Sequence, residues 1–197
     1  MPGGDTLHRR SIRLPGYDYA QPGAYFVTML TAGRQCLFGR VVDQEMRLSA
    51  LGKIVEEEWL RTPMIRAEIA LGAYVVMPNH FHAIVVISSE APSGASDVRA
   101  TGGSVGATGG SPVRAGGSPL RPRGPAPRSL GALIAGFKSS VTKRINALRD
   151  SPNAPIWQRN YYEHIIRNQR EGERIHLYID SNPVRWSQDQ VDPSYCP

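Results

Sequence analysis

The stretch EIALGAYVVMPNHFHAIVVI, residues 68–87, contains two runs rich in apolar and β-branched residues, separated by Pro78-Asn79. Runs of this length and composition are typical of β-strands, and a Pro-Asn pair between them favours a tight turn. We therefore predict strands over 68–77 and 80–87 that pair in antiparallel fashion through that turn.

Further strands and helices are predicted on both sides of this hairpin. Two segments have the composition of strands, at 24–32 (AYFVTMLTA) and 156–167 (IWQRNYYEHIIR). Apolar residues at helical spacing predict three helices, over 50–64, 129–148 and 170–181. The first six elements have the order of a split βαβ unit. The sequence therefore predicts an α+β, ferredoxin-like sandwich, with helices on one face of an antiparallel sheet and a further helix at the C-terminal end.

Residues 88–128 separate the two halves of this pattern. The segment consists mainly of Gly, Ser, Pro and Ala with scattered Arg, and it contains the near-repeat GGSPVRA and GGSPLRP. Such a composition cannot bury enough apolar surface to offset the conformational entropy lost on ordering. We predict a disordered insertion over 88–128, between a first part of the domain at 1–87 and a second part at 129–197.

The composition favours a polyanionic partner. The 197 residues include 23 Lys and Arg against 17 Asp and Glu, a formal charge of +6 that suits nucleic acid first and an anionic membrane second. A mildly basic protein without such a partner would have the same charge. No run approaches the roughly 18 apolar residues of a membrane span, and none resembles a signal peptide. Cys36 and Cys196 predict neither a metal site nor a disulfide framework, so we expect a cytoplasmic protein with no membrane partner.

The tripeptide His80-Phe81-His82 is a candidate metal-binding motif. Alternate residues of a strand point to the same face, so both imidazoles emerge side by side while Phe81 points to the other face. Two imidazoles can share a divalent cation, although a His-x-His pair considered alone is more often structural. Here the pair opens an otherwise apolar strand, where two polar rings are costly without a purpose.

Three blocks of the sequence resemble the REP-associated tyrosine transposases, which belong to the HUH (His-hydrophobe-His) single-tyrosine transposases. MPNHFHAIVVI, at 77–87, resembles the HUH signature. WQRNYYEHIIR, at 157–167, and YIDSNPVRW, at 178–186, resemble the C-terminal blocks of the family and occur in the same order. The resemblance begins at RRSIRLPGYDY, at 9–19, whereas the insertion at 88–128 departs from a minimal member of the family.

The resemblance implies a metal-dependent endonuclease that acts on single-stranded DNA through a 5′-phosphotyrosine intermediate. In the family, a tyrosine on the C-terminal helix is the nucleophile, and a polar side chain one turn later completes the metal site; Tyr178 and Asn182 match these positions. The implied metal ligands are His80, His82 and Asn182. Imidazole suits Mn²⁺, whereas Mg²⁺ prefers oxygen ligands but is abundant in cells. Helix packing for Tyr178 and a helix C-cap for Asn182 remain the structural alternatives.

The implied substrate is a hairpin of a repetitive extragenic palindrome with flanking single-stranded DNA. Basic residues near the N-terminus, on the long helix and around the last strand are candidates for DNA contacts, although several could be ordinary solvated charges: Arg9, Arg10, Arg13, Lys138, Lys143, Arg144, Arg159 and Arg167. His164 and His176 are interpreted as structural or DNA-facing. The sequence lacks a GxxxxGK[ST] phosphate loop, so no nucleotide cofactor is expected.

Two other functions are compatible with the sequence. An HUH replication initiator or relaxase shares the histidine motif, but usually carries a further histidine or acidic ligand and extra domains. A non-catalytic, ferredoxin-like nucleic-acid-binding module would use His80 and His82 only structurally. The sequence predicts neither the DNA target nor whether the protein is a monomer or a homodimer.

Overall fold

The computed structural model describes residues 17–89 and 125–186. Its strands and main helices are, in chain order, β1 (Gly23–Leu30), β2 (Gly39–Val42), β3 (Glu45–Leu48), α1 (Ala50–Leu60), α2 (Thr62–Ile65), β4 (Ile69–Val76), β5 (His80–Ile87), α3 (Leu130–Leu148), β6 (Tyr162–Ile166) and α4 (Gln169–Asp180).

Four of the strands form one antiparallel sheet in the order β4-β5-β1-β6. The central strands are β5 and β1, and β4 and β6 form the edges. This order is the topology of a split βαβ sandwich. The predicted hairpin of β4 and β5 is present, and β5 spans the predicted residues 80–87. The ferredoxin-like α+β prediction is confirmed.

The sheet buries its two faces against different helices. On one face, Tyr25, Val27 and Met29 of β1 alternate into the main core with the buried sides of α1 and α3. On the other face, Phe26 and Ile84 pack against α4 through Ile175 and Ile179, with Ala73, Val75 and Ile166 around them. The C-terminal helix thus covers the sheet face opposite to the one that α1 and α3 cover.

Side-chain caps explain where the three long helices begin. The side-chain oxygens of Ser49, Ser129 and Asn168 accept hydrogen bonds from the backbone N–H groups three residues later, at the starts of α1, α3 and α4. Each bond satisfies one of the N–H groups that a helix leaves without an internal partner. The long helix predicted over 50–64 is interrupted between α1 and α2, where Pro63 lacks the N–H that would continue the helical hydrogen bonds.

Two elements differ from the prediction. The hairpin of β2 and β3, GRVVDQEMRL, was missed because each of its strands is only four residues long; Asp43 and Gln44 form its turn with φ of 53° and 64°. The strand predicted over 156–167 is shorter, since β6 begins at Tyr162. The residues before it contribute only an isolated bridge between Trp157 and Thr31.

Some predictions fall on residues outside the described ranges. These are the bulk of the insertion, 90–124, and the three N-terminal arginines, Arg9, Arg10 and Arg13. The cysteine prediction is wrong for Cys36, which is disulfide-bonded. Within 17–89 and 125–186, no helix is long and apolar enough to cross a membrane.

Candidate active site

His80 and His82 lie side by side on the face of the sheet that α4 covers. Strand alternation places Phe81 in the main core on the opposite face. Both imidazoles are buried, with exposed fractions of 0% and 3%, and their ring centroids are 4.5 Å apart. Two nitrogen ligands at such spacing can be shared by one cation.

The ring of His82 is oriented by β1. Thr28 is its cross-strand neighbour, and the Thr28 Oγ1 and His82 Nδ1 atoms are 2.8 Å apart. Phe26, on the same face of β1, stacks on the imidazole with ring centroids 5.4 Å apart. Burial, with a further contribution from His80, holds the pKa of His82 well below its ordinary value. The neutral imidazole, which is the form that binds a metal, is therefore favoured.

The ring of His80 is oriented by its own neighbour in the chain. His80 Nδ1 lies 2.8 Å from Asn79 Oδ1, and an amide oxygen can only accept a hydrogen bond. The Nδ1 atom of His80 therefore carries a proton and donates it to the Asn79 oxygen. Such outer hydrogen bonds fix the tautomer and the orientation of metal-binding histidines.

Tyr178 reaches the histidine pair from α4. Its hydroxyl is 3.3 Å from His82 Nε2, and the two ring centroids are 5.3 Å apart. The edge of the Phe26 ring, which stacks on His82, also contacts Tyr178, with ring centroids 6.1 Å apart. The residue is 37% exposed, so part of it is open to solvent.

Asn182 continues the same side of the helix beyond its C-terminal end. Although Pro183 follows it, the turn persists: Asn182 N–H donates to Ile179 O, and Arg185 N–H donates to Asn182 O. Trp186, one turn after Asn182, lies with its ring centroid 5.8 Å from that of His80. Tyr178 therefore contacts one histidine and Trp186 the other, with Asn182 between them in the chain.

The side chain of Asn182 is a buried polar group that remains a candidate ligand. The residue is 2% exposed, and its Oδ1 has no hydrogen-bond partner among the described residues. A buried oxygen without a partner costs roughly 1–3 kcal/mol, which a bound cation would offset. The C-cap of α4 is Ser181, so capping does not account for Asn182. Two imidazoles and one buried amide oxygen fit a divalent metal with mixed nitrogen and oxygen ligands.

No alternative metal centre appears within residues 17–89 and 125–186. In these ranges no group of three or more His, Cys, Asp or Glu side chains could hold a metal ion. The two-histidine pair with Asn182 is therefore the candidate centre that these ranges offer.

Most of the predicted DNA-binding residues in the second half lie away from this centre. Lys138 on α3 donates to the backbone oxygens of Gln158 and Asn160, both at 2.9 Å, and burial lowers the pKa of its amine to about 8. Arg144 pairs with Glu57 and Glu58 of α1. Since α3 packs on the opposite face of the sheet, these residues are not brought together with the histidines.

The remaining basic candidates are exposed. Lys143 and Arg159 line a groove between α3 and the loop before β6, again on the far side of the sheet. Arg167 follows β6 directly and lines a mainly apolar groove on the face that α4 covers. Of the predicted basic residues in the described part of the chain, Arg167 is thus the one on the same face as the histidines.

His164 connects β6 to the start of α4. Its Nε2 is 2.7 Å from Glu171 Oε1, while Glu171 Oε2 accepts a hydrogen bond from the backbone N–H of Arg167. His176 lies on the exposed side of α4 beside Asp180. Of these two histidines, His164 is the one that fixes an element carrying the site.

Sequence reasoning missed the residues that surround the centre. Thr28, Phe26 and Trp186 contact the site residues from other elements, and Asn79 was interpreted only as a turn residue. Asn79 could have been found, because it precedes His80 directly. Thr28 and Phe26 required the register of β1 against β5, which the apolar pattern of the sequence does not specify.

Comparison with a solved structure defines the class of fold. The structure is similar to that of a REP-associated tyrosine transposase bound to a REP hairpin, with a TM-score of 0.55, 17% identity, and coverage of 91% of this chain and 78% of that chain. The chain therefore has the fold of a REP-associated tyrosine transposase. A candidate transposase from Deinococcus radiodurans R1 gives a TM-score of 0.40 at 13% identity, over 85% of this chain and 95% of that chain, which is too low to indicate a shared fold.

Sequence comparison then defines the family. An uncharacterized protein of Haemophilus influenzae is 35% identical over 187 residues, which cover 93% of each protein. The chain belongs to the same family as this Haemophilus protein. No family model matches the chain.

Proposed function

We propose that the protein is a metal-dependent endonuclease and strand transferase for single-stranded DNA, with Tyr178 as its nucleophile. The observation that carries the proposal is the position of the Tyr178 hydroxyl, 3.3 Å from Nε2 of a buried histidine in a two-histidine pair. An exposed tyrosine with its oxygen at a candidate metal site has the geometry of an activated nucleophile.

His80, His82 and Asn182 are the residues that would hold the cation. The two imidazoles are buried, and their Nδ1 atoms lie 2.8 Å from Asn79 Oδ1 and from Thr28 Oγ1. When bound, a divalent cation polarises a phosphate oxygen and helps to orient the scissile group. Mn²⁺ suits this ligand set best, and Mg²⁺ is the alternative.

The chain's own part in the reaction is to position the scissile phosphate and to exchange the bonds at phosphorus. The Tyr178 hydroxyl gives up its proton and its oxygen forms a bond to phosphorus, while the bond from phosphorus to the departing 3′ oxygen breaks. That oxygen takes up a proton, so the departing strand leaves with a free 3′-hydroxyl. The product is a 5′-phosphotyrosine that retains a phosphodiester's bond energy. Attack by another 3′-hydroxyl reverses the step and joins the held strand to a new end.

The proposed substrate is a DNA hairpin with single-stranded flanks, of the kind found in repetitive extragenic palindromes. Its support is the transposase of the same fold, which is bound to a REP hairpin. The net charge of +6 suits this partner. Arg167, on the same face of the sheet as the histidines, is the proposed contact for a phosphate, and Lys143 and Arg159 line a separate groove on the far side. The N-terminal Arg9, Arg10 and Arg13 remain candidates for the flanking strand.

The proposal is tested by cleavage of hairpin oligonucleotides that carry repeats from the source genome, with Mn²⁺, Mg²⁺ or a chelator. We expect cleavage with either metal, none with the chelator, and none by the His80→Ala/His82→Ala double variant. His176→Ala is the matched control, because that histidine is exposed on the outer side of α4. Full cleavage by the double variant in Mn²⁺ would contradict the metal site.

A further inference from the structure

Tyr162 presents an exposed aromatic ring on the face of the sheet that holds the site. It is the first residue of β6, an edge strand of the sheet, and its side chain is 50% exposed. Its cross-strand neighbour is Thr28, the residue whose hydroxyl contacts His82. The adjacent Tyr161 instead packs against the main core, as strand alternation requires.

The ring of Tyr162 is held in place by the same residue that packs on the site. Phe26 contacts Tyr162 edge-to-face at 6.4 Å, contacts Tyr178 edge-to-face at 6.1 Å and stacks on His82 at 5.4 Å, measured between ring centroids. Phe26 is 9% exposed, so it forms a buried support between two exposed tyrosines. An aromatic ring fixed in this way loses little entropy when a second ring stacks on it.

The distance between Tyr162 and the histidines suits a neighbouring nucleotide. β6 and β5 are separated by one strand, β1, which places their backbones roughly 10 Å apart. A phosphate held at Tyr178 therefore brings the adjoining sugar and base into the region of Tyr162. Exposed aromatic rings along the path of a single strand are the usual platforms for base stacking.

We propose that Tyr162 is the stacking platform for a nucleobase next to the scissile phosphate. The inference rests on the proposed function, because the phosphate position at Tyr178 defines which base reaches the ring. Every base has a π-face, so this contact adds affinity and fixes the strand's path while tolerating different bases. Tyr162 acts on binding and does not exchange bonds at phosphorus.

The test uses oligonucleotides in which 2-aminopurine, or an abasic site, replaces one nucleotide at a time around the mapped cleavage position. Binding to wild type should quench 2-aminopurine fluorescence at one position beside that cleavage point. Tyr162→Ala should lose this quenching and bind roughly tenfold more weakly. Tyr162→Phe should retain both, and an abasic site at that position should weaken wild type but not Tyr162→Ala.

Controls separate stacking from folding and from the proposed function. Leu148→Ala removes an exposed apolar side chain, 60% exposed against 50% for Tyr162, from the end of α3 and should change nothing. If Tyr162→Ala melts early, Tyr162→Leu keeps apolar volume without an aromatic face and should show the same loss.

Three results would overturn the proposal. Equal affinity and quenching for wild type and Tyr162→Leu would refute it, although cleavage by wild type would leave the proposed function standing. Weaker binding by the variants that is the same at every abasic position would also refute stacking. Failure of wild type to bind any oligonucleotide would refute both proposals.

Discussion

The burial and the orientation of the two histidines are the residue-scale features on which the proposed site depends. Burial disfavours the charged imidazolium of His82, and contacts at Nδ1 orient both rings. The two orienting groups differ in kind, since Asn79 is a neighbour in the chain and Thr28 lies on another strand. The contribution of Thr28 can therefore be removed without altering the histidine strand.

Thr28→Val should weaken metal binding while leaving the fold intact. Valine keeps the shape of threonine but lacks the hydroxyl that contacts His82 Nδ1, and loss of such an outer partner typically costs about 10–100-fold in metal affinity. Calorimetric titration with Mn²⁺ measures the change. Thr142→Val, on α3, is the matched control, and equal Mn²⁺ affinity for both variants would show that Thr28 does not orient the ligand.

At this scale the sequence predicted the ligands better than their surroundings. His80 and His82 follow from two-residue alternation in a strongly apolar strand, which is a local property. Thr28 and Phe26 are placed by strand register, and Trp186 by a turn that continues past Pro183. Contacts of this long range have no signature in one sequence.

The position of α4 is the element-scale feature that brings Tyr178 to the histidines. Ile175 and Ile179 anchor the helix to the sheet, and Asn168 caps its first turn. Glu171 also holds the start of α4 against the end of β6, since its carboxylate accepts a hydrogen bond from the Arg167 backbone N–H and lies beside His164. These contacts lower the pKa of Glu171, the backbone contact more than the histidine.

Glu171→Gln should loosen the first turns of α4 and slow DNA cleavage, with little effect on the rest of the domain. Because the folded state lowers the carboxyl pKa, the stabilisation is present above the ordinary glutamate range and is lost as the pH falls through the lowered value. Amide hydrogen exchange along α4 at several pH values measures it. Glu173→Gln, exposed on the same helix, is the control. Unchanged hydrogen-exchange protection of α4 in Glu171→Gln would contradict this role of Glu171.

The elements that the sequence predicted best are those with a long apolar pattern and a side-chain cap. α3 begins at Leu130 after Ser129, within one residue of its predicted start, and β5 matches its predicted range. The β2–β3 hairpin was missed because turn geometry, rather than apolar burial, defines it. The late start of β6 reflects tertiary contacts of Trp157 with Thr31 and Phe38.

At the scale of the whole molecule, the two layers of the domain have different roles. The sheet and its core with α1 and α3 form the scaffold, and the opposite face carries the site under α4. A buried carboxylate joins the two scaffold helices: Glu58 of α1 accepts hydrogen bonds from Ser140 and Arg144 of α3. Burial opposes the charge, but these partners outweigh it and lower the pKa of Glu58.

Glu58→Ala should lower the free energy of unfolding by about 1.5–3 kcal/mol, the range for hydrogen bonds to a charged group. Glu57→Ala, which removes only the exposed partner of Arg144, should cost at most about 1 kcal/mol. Urea denaturation of the two variants gives the difference. The losses of unfolding free energy in the two variants should converge as the pH falls through the lowered pKa of Glu58. An equal loss at neutral pH would contradict the proposed role of Glu58 in joining α1 to α3.

The central claim is that Tyr178 forms the covalent link to DNA, and trapping that link on a denaturing gel tests it most directly. With a labelled hairpin oligonucleotide and Mn²⁺, wild type should carry the label, and peptide mapping should place it on Tyr178. Tyr178→Phe removes only the hydroxyl, so it should bind the oligonucleotide but form no adduct, while Tyr161→Phe and Tyr162→Phe should still form it. An adduct on Tyr178→Phe, or a label mapped to Tyr161 or Tyr162, would contradict the account.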